Sequence, residues 1–162
     1  MRGSARRFTM IEHKVSPNVM TVAIKRAYES ASRTDGTRVL VDRLWPRGLS
    51  KATADIDEWL RDLAPSNELR RWYHSNTEQW QAFRNKYLKE LAQPECEAAL
   101  AELYKLAHKK KRLTLVFASK NTTRNNAVVL KDLLDGPRKP PKGTGPAGAY
   151  GGRERRVAMR RR

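Results

Sequence analysis

At 162 residues and 18.6 kDa the chain has room for one domain, and its single cysteine, Cys96, excludes an intrachain disulfide. A net charge of +17 with only 39% hydrophobic residues points first to nucleic acid as a partner. No apolar run approaches a membrane span and the basic first residues lack a secretory apolar segment, so the composition reads as cytoplasmic, with no membrane partner.

The charge is spread unevenly. Residues 1–19 carry four basic side chains and one acidic, and residues 136–162 carry nine and one. Residues 20–135 keep 21 bases against 15 acids, an ordinary mildly basic balance. The leader has no periodicity, and Met10 and Met20 each suit a start, so residues 1–19 read as a disordered basic leader or an over-extended reading frame. Residues 136–162, rich in Pro, Gly and Arg, read as a disordered tail. Residues 20–135 are the expected domain.

Within it, Thr21–Ile24 reads as a first strand, followed at once by Lys25, Arg26 and Tyr28. Residues 29–36 are loop-like and end in the turn pair Asp35-Gly36. Val39, Leu40 and Val41 form a β-branched run of the kind buried on both faces of a sheet. That run stops at Asp42 and Arg43, and Trp45-Pro46-Arg47-Gly48 makes a turn. The link between the two strands is short for a parallel crossover, so spacing leaves a hairpin and a parallel pair equally open.

From Asp55 the spacing predicts helices. Asp55 with Glu58 has the form of a capping box, and Ile56, Trp59, Leu60 and Leu63 share a helical face. Pro65 stops that helix and Ser66 caps the next, which carries Leu69, Trp72 and Tyr73. Ser75 with Glu78 is a second Ser-x-x-Glu cap, ahead of Trp80, Phe83, Tyr87, Leu88 and Leu91. The helical spacing of these aromatics marks them as core and not as a base-stacking platform. Pro94 opens a further helix that ends in the basic run 109–112, a solvated helix end favoured by the macrodipole. Cys96 lies between Glu95 and Glu97, whose charges make it a poor nucleophile. Leu113–Ala118 is the clearest strand, and it leads through residues 119–126 to a helix carrying Ala127, Val128, Leu130, Leu133 and Leu134, with Asn121, Thr122 and Thr123 as cap candidates.

The fold class expected from this order is α/β: one compact domain with a small, mostly parallel sheet, about five helices and disordered basic ends. Three strands finish in polar or charged groups: Lys25 and Arg26, Asp42 and Arg43, Ser119 and Lys120. In a parallel sheet those ends share one edge, where open α/β sheets bind ligands, and the last one feeds a helix N-terminus. Arg43, Arg47, Lys120 and Arg124, with Asn121 and Asn125 beside them, would then surround a phosphate. Asp42 would bind a hydroxyl or act as acid or base. The competing reading makes Asp42 and Arg43 a buried ion pair with helix residues. No nucleophile-elbow, phosphate-loop or metal-ligand motif is present, His13, His74 and His108 are scattered, and no metal or other cofactor is expected.

Gly36-Thr-Arg-Val-Leu-Val-Asp-Arg-Leu-Trp-Pro-Arg-Gly48, Ala64-Pro-Ser-Asn-Glu-Leu-Arg70 and Ala118-Ser-Lys-Asn-Thr-Thr-Arg-Asn-Asn-Ala-Val-Val-Leu130 resemble the YeaO-like branch of DUF488, a domain of unknown function. The likeness spans about residues 20–135. It implies a compact α/β domain with a largely parallel sheet and no settled activity. Some members carry a label as MarR-type regulators, but a winged helix does not fit the strand–helix order above. Broader members often place Cys-His after the last strand where this chain has Asn125-Asn126, and closer relatives tend to have histidine near Asn126. Thiol chemistry is therefore not carried over. The sequence supports three readings: a phosphate-bearing ligand, a nucleotide or nucleic-acid end, held at the strand ends with or without catalysis; a DNA- or RNA-binding accessory protein acting through its basic ends and the 109–112 run; or a partner-binding subunit without ligand.

Overall fold

The computed structural model describes residues 21–136, so the expectations for the leader and for 137–162 fall outside the described residues. Four strands form one parallel sheet in the order β1-β4-β2-β3: Thr21–Arg26 (β1), Thr37–Leu40 (β2), Glu58–Trp59 (β3) and Arg112–Phe117 (β4). The hairpin alternative is thereby removed. β1 and β2 never pair, because β4 inserts between them and bonds both in parallel. Among the described residues five α-helices accompany the sheet: Lys51–Ala54 (α1), Asn67–Ser75 (α2), Trp80–Leu91 (α3), Pro94–Lys109 (α4) and Asn126–Asp135 (α5).

Strand alternation sorts the side chains onto two unlike faces. Val22, Val39, Val41, Leu113, Leu115 and Phe117 meet Leu69, Phe83, Tyr87, Leu91, Leu100, Leu103, Leu130 and Leu134 in the main core. Each such fully buried side chain stabilises the fold by about 1.5–3 kcal/mol. On the other face Leu40, Val116 and Ala27 form a smaller core with Trp45, Leu49, Ile56 and Trp59. Apart from Ala23, the remaining positions of that second face include the polar Lys25, Arg38 and Thr114. Arg38 is 2% exposed and Asp35 7%. The Arg38 Nη1 donates to Asp35 Oδ2 at 2.6 Å and Lys25 Nζ to Asp35 Oδ1 at 3.0 Å.

Four local expectations are corrected. Residues 55–63 are not a helix. Asp55 takes the left-handed conformation (φ 51°, ψ 52°) that closes the short α1, Glu58–Trp59 pairs with Val39–Leu40 as an edge strand, and Arg61–Leu63 is a 3-10 turn. The apolar residues there have helical spacing because they serve two cores: Ile56 and Trp59 pack on the second face, Leu60 and Leu63 in the main one. Second, Ser75 ends α2 and does not cap α3, whose N-cap Gln79 makes no side-chain capping bond. Third, the cap of α5 is Asn125, whose Oδ1 accepts from Val128 N at 3.1 Å; Asn121, Thr122 and Thr123 lie upstream in the loop. Fourth, β1 runs on through Lys25 and Arg26, and β2 begins at Thr37 and ends before Val41. Ser66 and Pro94 stand at helix starts as the sequence indicates.

Candidate functional site

The carboxyl edge of the sheet is tied together by a half-buried carboxylate. Asp42 leaves β2 next to the end of β4, and its Oδ2 accepts from Ala118 N at 2.9 Å. Its Oδ1 accepts from Asn126 Nδ2 at 3.1 Å, and the same amide donates to Val41 O at 3.0 Å. One side chain thus pins β4 and the start of α5 to β2. Burial raises the Asp42 carboxyl above its ordinary value, against the opposing pull of those hydrogen bonds and of the Arg70 guanidinium.

Arg43 is also committed to backbone. Its Nη2 donates to Ala64 O at 3.1 Å and its Nε to Pro65 O at 3.4 Å. From the other side Glu90 accepts from Ser66 N at 2.8 Å and from Ser66 Oγ at 2.6 Å, while Ser66 Oγ caps Leu69 N. Tyr87, fully buried, donates to Leu63 O at 2.6 Å. Together these contacts hold residues 63–66 rigidly and so fix where α2 begins. Burial, then Glu95, Glu90 and Asp62, push the Cys96 thiol up to about 12, which agrees with its inert reading and adds desolvation as the larger cause.

Among the described residues, then, neither Asp42 nor Arg43 forms a salt bridge. The buried ion cluster is Lys25–Asp35–Arg38 instead. Burial works against ionised Asp35, but bonds from Lys25, Ser32 N and Arg38 outweigh it and keep the carboxyl below its usual value. Arg38 also donates to Asp55 O and Ala54 O, so the charge is fully partnered. Lys25 is therefore used inside the fold. Arg26 donates from Nε to Ser119 O at 2.9 Å and from Nη2 to Ala118 O at 3.1 Å, and its guanidinium lies 4.9 Å from the centre of the Tyr28 ring.

The loop after β4 is built by its own side chains. Ser119 Oγ accepts from Asn121 N, Asn121 Oδ1 accepts from Thr123 N and Arg124 N, and Asn125 Nδ2 donates to Asn121 O at 2.7 Å. Ser119, Lys120, Asn121 and Arg124 are exposed, whereas Asn125 is buried by its capping task. Arg47 is exposed on its turn, and its carbonyl accepts from Tyr28 Oη at 2.9 Å. Lys120, Arg124 and Arg47 are thus the basic groups of the expected set that face solvent. Sequence reasoning missed Arg70 and Tyr73 of α2. Arg70 acts on the Asp42 carboxyl, and the Tyr73 hydroxyl meets Arg124 O at 3.5 Å. It also missed Asn126 as a ligand of Asp42. A signal existed for Arg70, since the Ala64–Arg70 motif ends on it one helical turn after Ser66.

Fold and site together define an open, parallel α/β domain whose strand-end carboxylate serves as a latch and whose solvent-facing basic groups gather on the loop before the last helix. The sequence model of a family described as "Inactive DUF488-N3 subclade" matches residues 21–145, and the chain belongs to that DUF488 family, in its YeaO-like branch. It is 47% identical over 116 residues to the uncharacterized protein YeaO of Escherichia coli (strain K12), covering 71% of this chain and 97% of that protein. It is 44% identical over 115 residues to the uncharacterized protein Rv3073c of Mycobacterium tuberculosis (strain ATCC 25618 / H37Rv), covering 71% and 94%. The same figures hold for the uncharacterized protein Mb3100c of Mycobacterium bovis. No solved structure matches the chain significantly. No helix among the described residues is long and apolar enough to cross a membrane.

Proposed function

We propose that the domain is a binding module for a phosphate-bearing ligand, a nucleotide or nucleic-acid end, held at the loop between β4 and α5 without catalysis. The observation that carries this reading is the exposed pair Lys120 and Arg124 on a loop whose shape is fixed by Ser119, Asn121 and Asn125. Exposed cations on a rigid scaffold bind an anion without first losing much conformational entropy. A non-catalytic role is favoured by Asp42, the one acid placed for acid–base work, because both its oxygens are taken by Ala118 N and Asn126. The family description, with its word "inactive", agrees.

The test is binding of a fluorescent mononucleotide to the full chain and to the double variant Lys120→Ala/Arg124→Ala. Loss of charge-assisted contacts should weaken binding about tenfold to hundredfold. Unchanged affinity would reject the loop as the site. The second reading, a nucleic-acid accessory protein gripping through basic ends, rests on the nine bases of residues 136–162. It predicts instead that affinity and salt dependence fall together when those residues are removed.

A further inference from the structure

Two concavities, of about 450 and 400 Å³, open along α4, lined by residues such as Tyr104, Lys105 and Lys109, and neither includes a strand-end residue. What the strand ends form instead is a row of basic residues, tied together mainly through their backbone and by succession in the chain. Arg47 is linked through its carbonyl to the Tyr28 hydroxyl at 2.9 Å. The Tyr28 ring lies 4.9 Å from the Arg26 guanidinium, which holds Ala118 O and Ser119 O. Lys120 follows Ser119 directly, and Asn121 then carries the loop to Arg124 by accepting from Arg124 N at 2.9 Å. Arg70 completes the row beside Asp42, which is itself bonded to Ala118 N.

Among the described residues Tyr28 is the only aromatic of the exposed large hydrophobic side chains, at 43% exposure. Its ring therefore stands partly in solvent with the Arg26 guanidinium against it, and its hydroxyl is bonded to the backbone of the exposed Arg47. Two acids adjoin the row. Asp42 is turned inward onto Ala118 N and Asn126, and Glu29 follows Tyr28 in the chain. Cations spaced along an open surface with an aromatic ring among them suit a chain of phosphates whose bases can stack. A single small anion would engage no more than the Lys120 and Arg124 pair.

We propose that this row, Arg47, Tyr28, Arg26, Lys120, Arg124 and Arg70, is a track for single-stranded nucleic acid, with Tyr28 as the stacking platform for a base. The proposal rests on the anion site described above and extends it from one phosphate to a strand. It differs from a grip through the terminal segments, because every residue of the track belongs to the folded domain.

The experiment measures binding to the full chain of three labelled probes: a strand of about ten thymidines, an abasic strand with the same phosphates, and a thymidine mononucleotide. The base-bearing strand is expected to bind more tightly than either of the others. Tyr28→Ala should weaken it roughly fivefold to hundredfold and leave the abasic strand unchanged, while Tyr28→Phe should retain it. Arg47→Ala, at an exposed position that the core does not need, should weaken both strands and lower the slope of log affinity against log salt by about 0.7. Equal affinity for base-bearing and abasic strands, or no effect of Tyr28→Ala, would overturn the track. A mononucleotide that binds as tightly as the strand, with dependence on Lys120, would overturn the track and leave the single-phosphate site standing. Indifference of all three probes to Lys120→Ala and Arg124→Ala would end both.

Discussion

Asp35 and Arg38 show how much a single buried charge can decide. Arg38 sits mid-strand among Val39, Leu40 and Val41, where an unpartnered guanidinium would not be tolerated, and Asp35 three residues earlier supplies its partner. Asp35→Asn should therefore destabilise the fold by about 3 kcal/mol at neutral pH, as measured by urea denaturation. The folded-state value of Asp35 is lowered, so its contribution is present above the ordinary carboxylate range and lost as pH falls through the folded value. The gap between wild type and Asp35→Asn should accordingly narrow below about pH 4, and a constant gap would contradict the ion cluster. Asp42 has the opposite sign. Its folded value is raised, so ionising it costs stability, which should fall as pH rises from the ordinary carboxylate value through the folded one. Asn126→Ala leaves Asp42 Oδ1 and Val41 O without their donor and should cost about 1–3 kcal/mol by the same denaturation assay.

At the scale of elements, what was legible followed from features that are local in sequence. Leu113–Ala118 is apolar but for Thr114 and became β4, which is buried from Leu113 to Phe117. Ser66 and Pro94 carry their helix-start signals in their own chemistry. Residues 55–63 misled because a period near 3.6 also arises when one extended segment feeds two cores in turn, and nothing local distinguishes the cases. The edge-strand pairing of Glu58–Trp59 depends on Val39–Leu40 nearly twenty residues away, and the Trp59 indole bond to Asp42 O completes it. For the site, the strand-end edge and its exposed Lys120 and Arg124 were legible, whereas the bonds that Lys25, Arg26 and Arg43 make within the fold were not, since their acceptors are mostly backbone carbonyls of distant segments. Gly36 marks the other strong local constraint. It has φ 68°, and an added Cβ would collide with the Arg112 backbone at the start of β4. Gly36→Ala should lower stability by about 2 kcal/mol or more and should loosen β2 from β4, read as faster amide exchange at Val39 and Leu40.

For the whole molecule, the net charge of +17 is a poor guide to where a ligand binds, because residues 20–135 carry only +6 of it. Every core and site contact named above is made between residues 21 and 135, so a chain trimmed to 20–135 keeps them. The relatives match over 116 and 115 residues, nearly their whole lengths. The account's central claim, that the loop between β4 and α5 holds a phosphate-bearing ligand, is tested most directly by amide chemical-shift mapping of the 20–135 chain titrated with a mononucleotide. It predicts saturable shifts concentrated at Ser119–Asn126 and around Arg70, abolished in Lys120→Ala/Arg124→Ala. Shifts confined to other surfaces, or none while the full chain still binds the same nucleotide, would contradict it.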